Sequence, residues 1–170
     1  MENKLPKRKD LRIKQYDYSS AGAYFVTVCT QNRRCILSRI VGRGLAPAEM
    51  SNIEYTPLGE IAEKQLLSLE ERYPYLSVDQ YVIMPNHIHA ILILKGKTAG
   101  ASPRPTVIDI LCAYKSLTTR ECKNRGFEGK LFQSSFYEHI IRNREDYEET
   151  SKYICENPIR WYYDELYAEE

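Results

Sequence analysis

Two of the chain's three histidines, His87 and His89, stand one residue apart in Met84-Pro85-Asn86-His87-Ile88-His89-Ala90-Ile91-Leu92-Ile93-Leu94. The run is apolar and reads as a strand, so alternation sends both imidazoles to one face and Ile88 to the other. Two imidazoles side by side on a rigid strand can share one cation. A later segment, Arg144 to Pro158, reads as a helix. On it Tyr153 and Asn157 are four apart and share a face, with Glu149 one turn earlier. If that face looks onto the histidines, the site holds two imidazoles, an amide oxygen and a phenol.

These are the components of a nucleophilic attack on a phosphodiester. A phosphodiester resists attack because its anionic oxygens repel nucleophiles and its transition state concentrates charge. A divalent cation on a non-bridging oxygen offsets both effects. A phenol is mostly protonated at neutral pH, so it needs a proton acceptor or a cation that favours phenolate. The product is a phosphotyrosine ester that keeps most of the phosphodiester's free energy, so a second hydroxyl can rejoin the strand without ATP. Two imidazoles, an amide oxygen, phosphate and water suit Mn²⁺ well and Mg²⁺ adequately. A closed zinc site would want a further Cys or His, and the spacing offers none.

The positioning elements follow from pattern. Ala23 to Thr30 is rich in β-branched and aromatic residues and predicts a first strand. Arg39 to Asn52, with Gly42, Gly44 and Pro47, reads as a loop. Thr56-Pro57 is an N-cap and first-turn proline, and Leu58, Ile61, Ala62, Leu66 and Leu69 follow at helical spacing. Val78–Met84 and His87–Leu94 predict a hairpin across Pro85-Asn86. Residues 95–106 have linker composition and are expected to be flexible. A second helix is expected from Thr106 to Arg125, with Val107, Leu111, Tyr114 and Leu117 on one side. Phe132 to Ile141 reads as a fourth strand. The order is that of an α+β, ferredoxin-like βαββαβ chain with an antiparallel sheet, plus an extra C-terminal helix carrying the candidate nucleophile. The histidine strand then lies inside the sheet, with two helices on one face and the last helix on the other.

Met84 to Leu92 resembles the His-hydrophobic-His signature of HUH single-strand endonucleases. Ser135-Phe136-Tyr137-Glu138-His139-Ile140-Ile141-Arg142-Asn143, followed by Tyr153-Ile154-Cys155-Glu156-Asn157-Pro158, is similar to the nucleophile segment of REP-associated tyrosine transposases. The similarity spans roughly Tyr24 to Trp161. It implies that His87 and His89 are metal ligands, Tyr153 the single nucleophile and Asn157 the third ligand, where many relatives have Gln. It also implies cleavage and rejoining of single-stranded DNA through a 5′-phosphotyrosine, with hairpins of palindromic repeats as frequent targets.

Composition sets the outer bounds. At 170 residues, 43% hydrophobic and 28% charged, the chain reads as one globular domain. The longest apolar run is too short to span a bilayer. Five cysteines, odd in number and without Cys-x-x-Cys, argue against a disulfide framework and for a cytoplasmic setting. Net charge is only +1, but residues 1–20 form a basic arm suited to a polyanion, and residues 162–170 an acidic tail. Lys115, Arg120 and Lys123 on the second helix, with His139 and Arg142, are candidate DNA contacts. Tyr137, Tyr147, Tyr162 and Tyr163 compete with Tyr153, and Asn157 before Pro158 could be merely a helix terminator, because the residue before proline is pushed away from helical angles, a geometry that could also aim its amide outward at an ion. Three other functions fit parts of this pattern: a replication-initiator or relaxase-like nickase, a non-catalytic nucleic-acid-binding module, and a metal hydrolase using water. No interface pattern distinguishes a monomer from a homodimer.

Overall fold

The computed structural model describes residues 16–41, 52–96 and 104–168. The basic residues Lys4 to Lys14, the glycines at 42 and 44, Pro47 and most of the 95–106 linker lie outside the described residues.

Strands β1 (Gly22–Cys29), β4 (Leu76–Ile83), β5 (His87–Leu94) and β6 (Tyr137–Ile141) form one antiparallel sheet in the order β4-β5-β1-β6. Helix α1 (Pro57–Arg72) links β1 to β4, and α2 (Val107–Asn124) links β5 to β6. This is the expected ferredoxin-like order, with the histidine strand between two neighbours. Alternation divides the sheet's side chains cleanly. Tyr24, Val26, Val28, Ile88, Ala90, Leu92 and Leu94 join Ile61, Leu66, Leu69, Ile110, Leu111 and Tyr114 in the main core under α1 and α2. On the opposite face Phe25, Val82, Met84 and Ile91 pack with Ile154 of α3 (Arg144–Glu156) and with Trp161. A sheet buried on both faces explains why β5 reads as an almost unbroken apolar run.

Local chemistry sets the helix starts. The Thr56 side chain accepts from Gly59 N–H with Pro57 in the first turn, and Thr106 forms a capping box with Asp109. Asn143 caps α3 by accepting from Asp146 N–H at 2.9 Å. The Tyr114 phenol, buried in the core, donates to the Ala62 carbonyl at 3.1 Å and so ties α2 to α1.

Two expectations need correction. The stretch read as a loop opens and closes on a two-stranded ribbon, β2 (Ser38–Val41) with β3 (Asn52–Tyr55), paired through Ile40 and Ile53. Its alternation is only four residues long on each side, and glycine and proline between the halves obscured it. The fourth strand begins at Tyr137, not Phe132; Phe132 makes one isolated bridge to Thr30. In the linker, the described Arg104 is held, its guanidinium 4.4 Å over the Tyr75 ring and bonded to the Lys95 carbonyl.

Gly59 is where helix α1 meets the turn before the ribbon. A Cβ added there would lie 1.9 Å from the Leu37 carbonyl oxygen, which already accepts from Thr56 N–H at 3.0 Å. Backbone cannot swing aside as a side chain can. Gly59→Ala is therefore expected to lower stability by about 3 kcal/mol despite alanine's better helix propensity, read by denaturant unfolding.

Candidate metal and nucleophile site

The turn before β5 is built to hold His87. Met84 N–H donates to the His87 carbonyl at 2.8 Å, and the Pro85 carbonyl accepts from both Ile36 and Leu37 N–H at 2.9 Å. Asn86, fully buried, donates its amide nitrogen to the carbonyls of Leu166 at 2.8 Å and Arg33 at 3.3 Å. Two carbonyl acceptors fix which end of that amide is nitrogen. Asn86 Oδ1 must therefore face His87 Nδ1, 2.8 Å away, and accept its proton. On His89 the corresponding nitrogen, Nδ1, bonds Thr27 Oγ1 at 2.9 Å across the strand pair.

Both Nε2 atoms then point into the space between sheet and α3. His87 and His89 are 0% and 2% exposed, and neither Nε2 has a hydrogen-bond partner. Burial pulls the His87 pKa down to about 4 against the opposing pull of Asp164, and burial followed by the neighbouring His87 holds His89 well below its ordinary value. Both imidazoles are thus neutral at pH 7, the form that ligates metals. The Asn157 side-chain oxygen, on a residue 2% exposed, is likewise without a partner. Three buried, unsatisfied lone-pair atoms around one space fit a cation, because buried polar atoms are otherwise almost always paired.

Asn157 keeps helical angles, φ −55° and ψ −42°, despite the proline that follows. The expected push away from helical angles is not seen; the side chain is buried and donates through Nδ2 to Asp164 at 2.7 Å. One turn earlier the Tyr153 ring lies 5.1 Å from the His89 ring and 6.0 Å from Phe25, which itself stacks on His89 at 5.1 Å. Tyr153 is 44% exposed at a cavity of about 540 Å³ also lined by Thr27, Cys29, His89 and Gln133. Its pKa is pushed up to about 12, first by the apolar surround and then by Asp164. In this state the phenol is firmly protonated.

Asp164 is the residue that sequence reading missed. Residues 162–170 read as an acidic tail, yet the chain after α3 turns back through Trp161–Tyr163 and crosses the site. Trp161 is buried, its ring 5.9 Å from that of His87. Asp164 then accepts from Asn157 Nδ2 at 2.7 Å and from the Tyr153 hydroxyl at 3.3 Å. The signal available was Trp161, a large ring three residues before Asp164 whose burial draws the start of the tail onto the fold.

The other candidates fall elsewhere. Tyr147 donates to Asp79 on β4. Tyr137 lines the same cavity as Tyr153, while Tyr162 and Tyr163 are exposed on the tail. Lys115 donates to the carbonyls of Ser134 and Ser135 at 2.9 and 3.4 Å, so its ammonium braces a loop. Arg120 and Lys123, with Lys130, line a groove of about 430 Å³. His139 bonds the Asp146 carboxylate at 2.9 Å, and exposed Arg142 donates its backbone N–H to the same group at 3.0 Å.

The Asn86 anchor gives a direct expectation. Asn86→Ala removes the acceptor that fixes the His87 tautomer, so the ring-proton signal of His87 in the nuclear magnetic resonance spectrum should move from Nδ1 or broaden.

The antiparallel ferredoxin-like α+β sheet with helices on both faces defines the class of fold, and known proteins share that fold. No family model matches the chain. It is 28% identical over 177 aligned residues to an uncharacterized protein of Haemophilus influenzae, covering 95% of this chain and 94% of that one. It is 24% identical over 143 residues to the REP-associated tyrosine transposase of Escherichia coli K12, covering 84% and 70% of the two chains. The solved structure of a REP-associated tyrosine transposase bound to a REP hairpin superposes with a TM-score of 0.62 at 23% identity, covering 88% of this chain and 73% of that one. The resemblance implied by the two motifs is thereby borne out: the chain is similar, over most of its length, to transposases of the REP-associated tyrosine type. Among the described residues no helix is long and apolar enough to cross a membrane.

Proposed function

We propose that this chain cleaves and rejoins single-stranded DNA by transesterification, with Tyr153 as nucleophile and a divalent cation, Mn²⁺ or Mg²⁺, held by His87, His89 and Asn157. The observation that carries this reading is the set of buried, partnerless atoms on those three residues beside the Tyr153 ring. When bound, the cation polarises the phosphoryl group and offsets its developing charge.

The chain's own residues do the rest. Asn86 and Thr27 hold the imidazoles so that their free nitrogens converge. Phe25 and His89 pack against the Tyr153 ring and limit where its hydroxyl can reach. The phenolic oxygen forms a bond to phosphorus, the bond from phosphorus to the 3′ oxygen breaks, and the phenol proton passes through solvent to that oxygen. A 5′-phosphotyrosine and a free 3′ hydroxyl result, and attack by a 3′ hydroxyl reverses the step. The groove of Arg120, Lys123 and Lys130 is suited to the DNA backbone. The hairpin in the similar transposase structure makes a palindromic single strand the first substrate to try.

The test is a labelled hairpin-bearing single strand incubated with protein and Mn²⁺, then resolved under denaturing conditions. A protein–DNA adduct that chelator prevents is expected. Cleavage without any adduct would indicate a water nucleophile and overturn the role given to Tyr153.

A further inference from the structure

The site as proposed lacks charge. Two neutral imidazoles and an amide oxygen offer no negative group to a divalent cation, and both Mg²⁺ and Mn²⁺ favour anionic oxygen. The tail supplies one. A carboxylate oxygen of Asp164 and one ring nitrogen each of His87 and His89 all lie within 4.8 Å of one another, near enough for a single ion to draw them together.

The placement of Asp164 is held by backbone. Leu166 N–H donates to its Oδ1 at 2.6 Å, and the Leu166 carbonyl accepts from Asn86, the residue that orients His87. Arg33 donates to the Glu165 carbonyl at 3.3 Å and Cys35 to the Ala168 carbonyl at 3.4 Å. The segment is thus fastened to the β1–β2 connection and to the turn before β5. Asp164 Oδ2 faces inward, bonded to Asn157 and to the Tyr153 hydroxyl.

We infer that Asp164 is a ligand of the divalent cation, completing a set of two histidines, one amide and one carboxylate. The inference rests on the metal centre proposed above and extends it to a residue beyond the two motifs. It also gives Asp164 a second consequence: the carboxylate that holds the phenol in the metal-free protein is the one the cation would draw on, so metal loading loosens the grip on the nucleophile.

The test uses the full chain and Mn²⁺ alone, without DNA, with affinity read by calorimetry and folding by circular dichroism. Asp164→Asn is expected to weaken Mn²⁺ binding at least tenfold. Glu165→Gln, the same charge change one residue on, should stay within twofold of the unaltered protein. A folded Asp164→Asn protein that binds Mn²⁺ normally overturns the inference, as does an equal loss in Glu165→Gln, which would mark a bulk charge effect. Paired His87→Ala and His89→Ala substitutions separate the two readings: if they too leave affinity unchanged, the metal centre itself is wrong. A readout that needs no variant is the infrared difference spectrum of the unaltered protein on adding one equivalent of Mn²⁺. A shifted carboxylate stretch is expected, and its absence counts against Asp164.

Discussion

Tyr153→Phe should give a folded protein that binds single-stranded DNA and forms no covalent adduct with it. The substitution keeps the ring and so its packing against His89 at 5.1 Å and Phe25 at 6.0 Å. It removes only the hydroxyl, with its 3.3 Å bond to Asp164. A half-exposed, long hydrogen bond contributes about 1 kcal/mol at most, so the melting transition should barely move. Cleavage should drop by about 10⁴-fold or more, because the variant lacks the oxygen that would bond to phosphorus. Tyr137 is the nearest rival at the cavity, and Tyr137→Phe should retain the adduct. Wild-type cleavage rates in Tyr153→Phe, or loss of the adduct only in Tyr137→Phe, would transfer the role away from Tyr153.

The second large effect is expected from the histidine pair. His87→Ala with His89→Ala removes two buried imidazoles whose Nδ1 atoms are satisfied by Asn86 and Thr27 and whose Nε2 atoms are not. Taking the two rings away from Trp161 and Phe25 leaves a cavity, and stability should fall by about 2–4 kcal/mol. Cleavage should fall by about 10³-fold or below detection, while DNA affinity stays within about threefold, since the basic groove on α2 lies outside the pair. Chelator should reproduce the loss in the unaltered protein, and added Mn²⁺ should restore it there but not in the variant. A double variant that is folded and cleaves normally would remove the metal from the mechanism.

Much of this arrangement is legible residue by residue. The strand alternation that sends His87 and His89 to one face is a property of any extended backbone, and the structure has both rings turned toward α3, 4.4 Å apart. The spacing of Tyr153 and Asn157 likewise needs only helical periodicity. Capping residues Thr56, Thr106 and Asn143 announce their helices because a side-chain oxygen must satisfy N–H groups that the first turn leaves open. The ribbon of β2 and β3 was not legible, since four-residue strands separated by glycine and proline carry too little periodicity to stand out.

By itself, then, the chain's sequence determined the three α-helices, the four strands of the main sheet and their order, the faces on which imidazole, phenol and amide would stand, and the transposase type they resemble. Local rules suffice for these, because backbone geometry repeats every two or 3.6 residues. Tertiary structure alone decided that Lys115 braces a loop, that Asn86 sets the tautomer of His87, and that Asp164 returns to meet Tyr153 and Asn157. Those outcomes join residues 19, 1 and 7 positions apart through segments with no common period. They depend on where Trp161 finds its place in the core and where the tail finds backbone partners, which only the folded packing supplies.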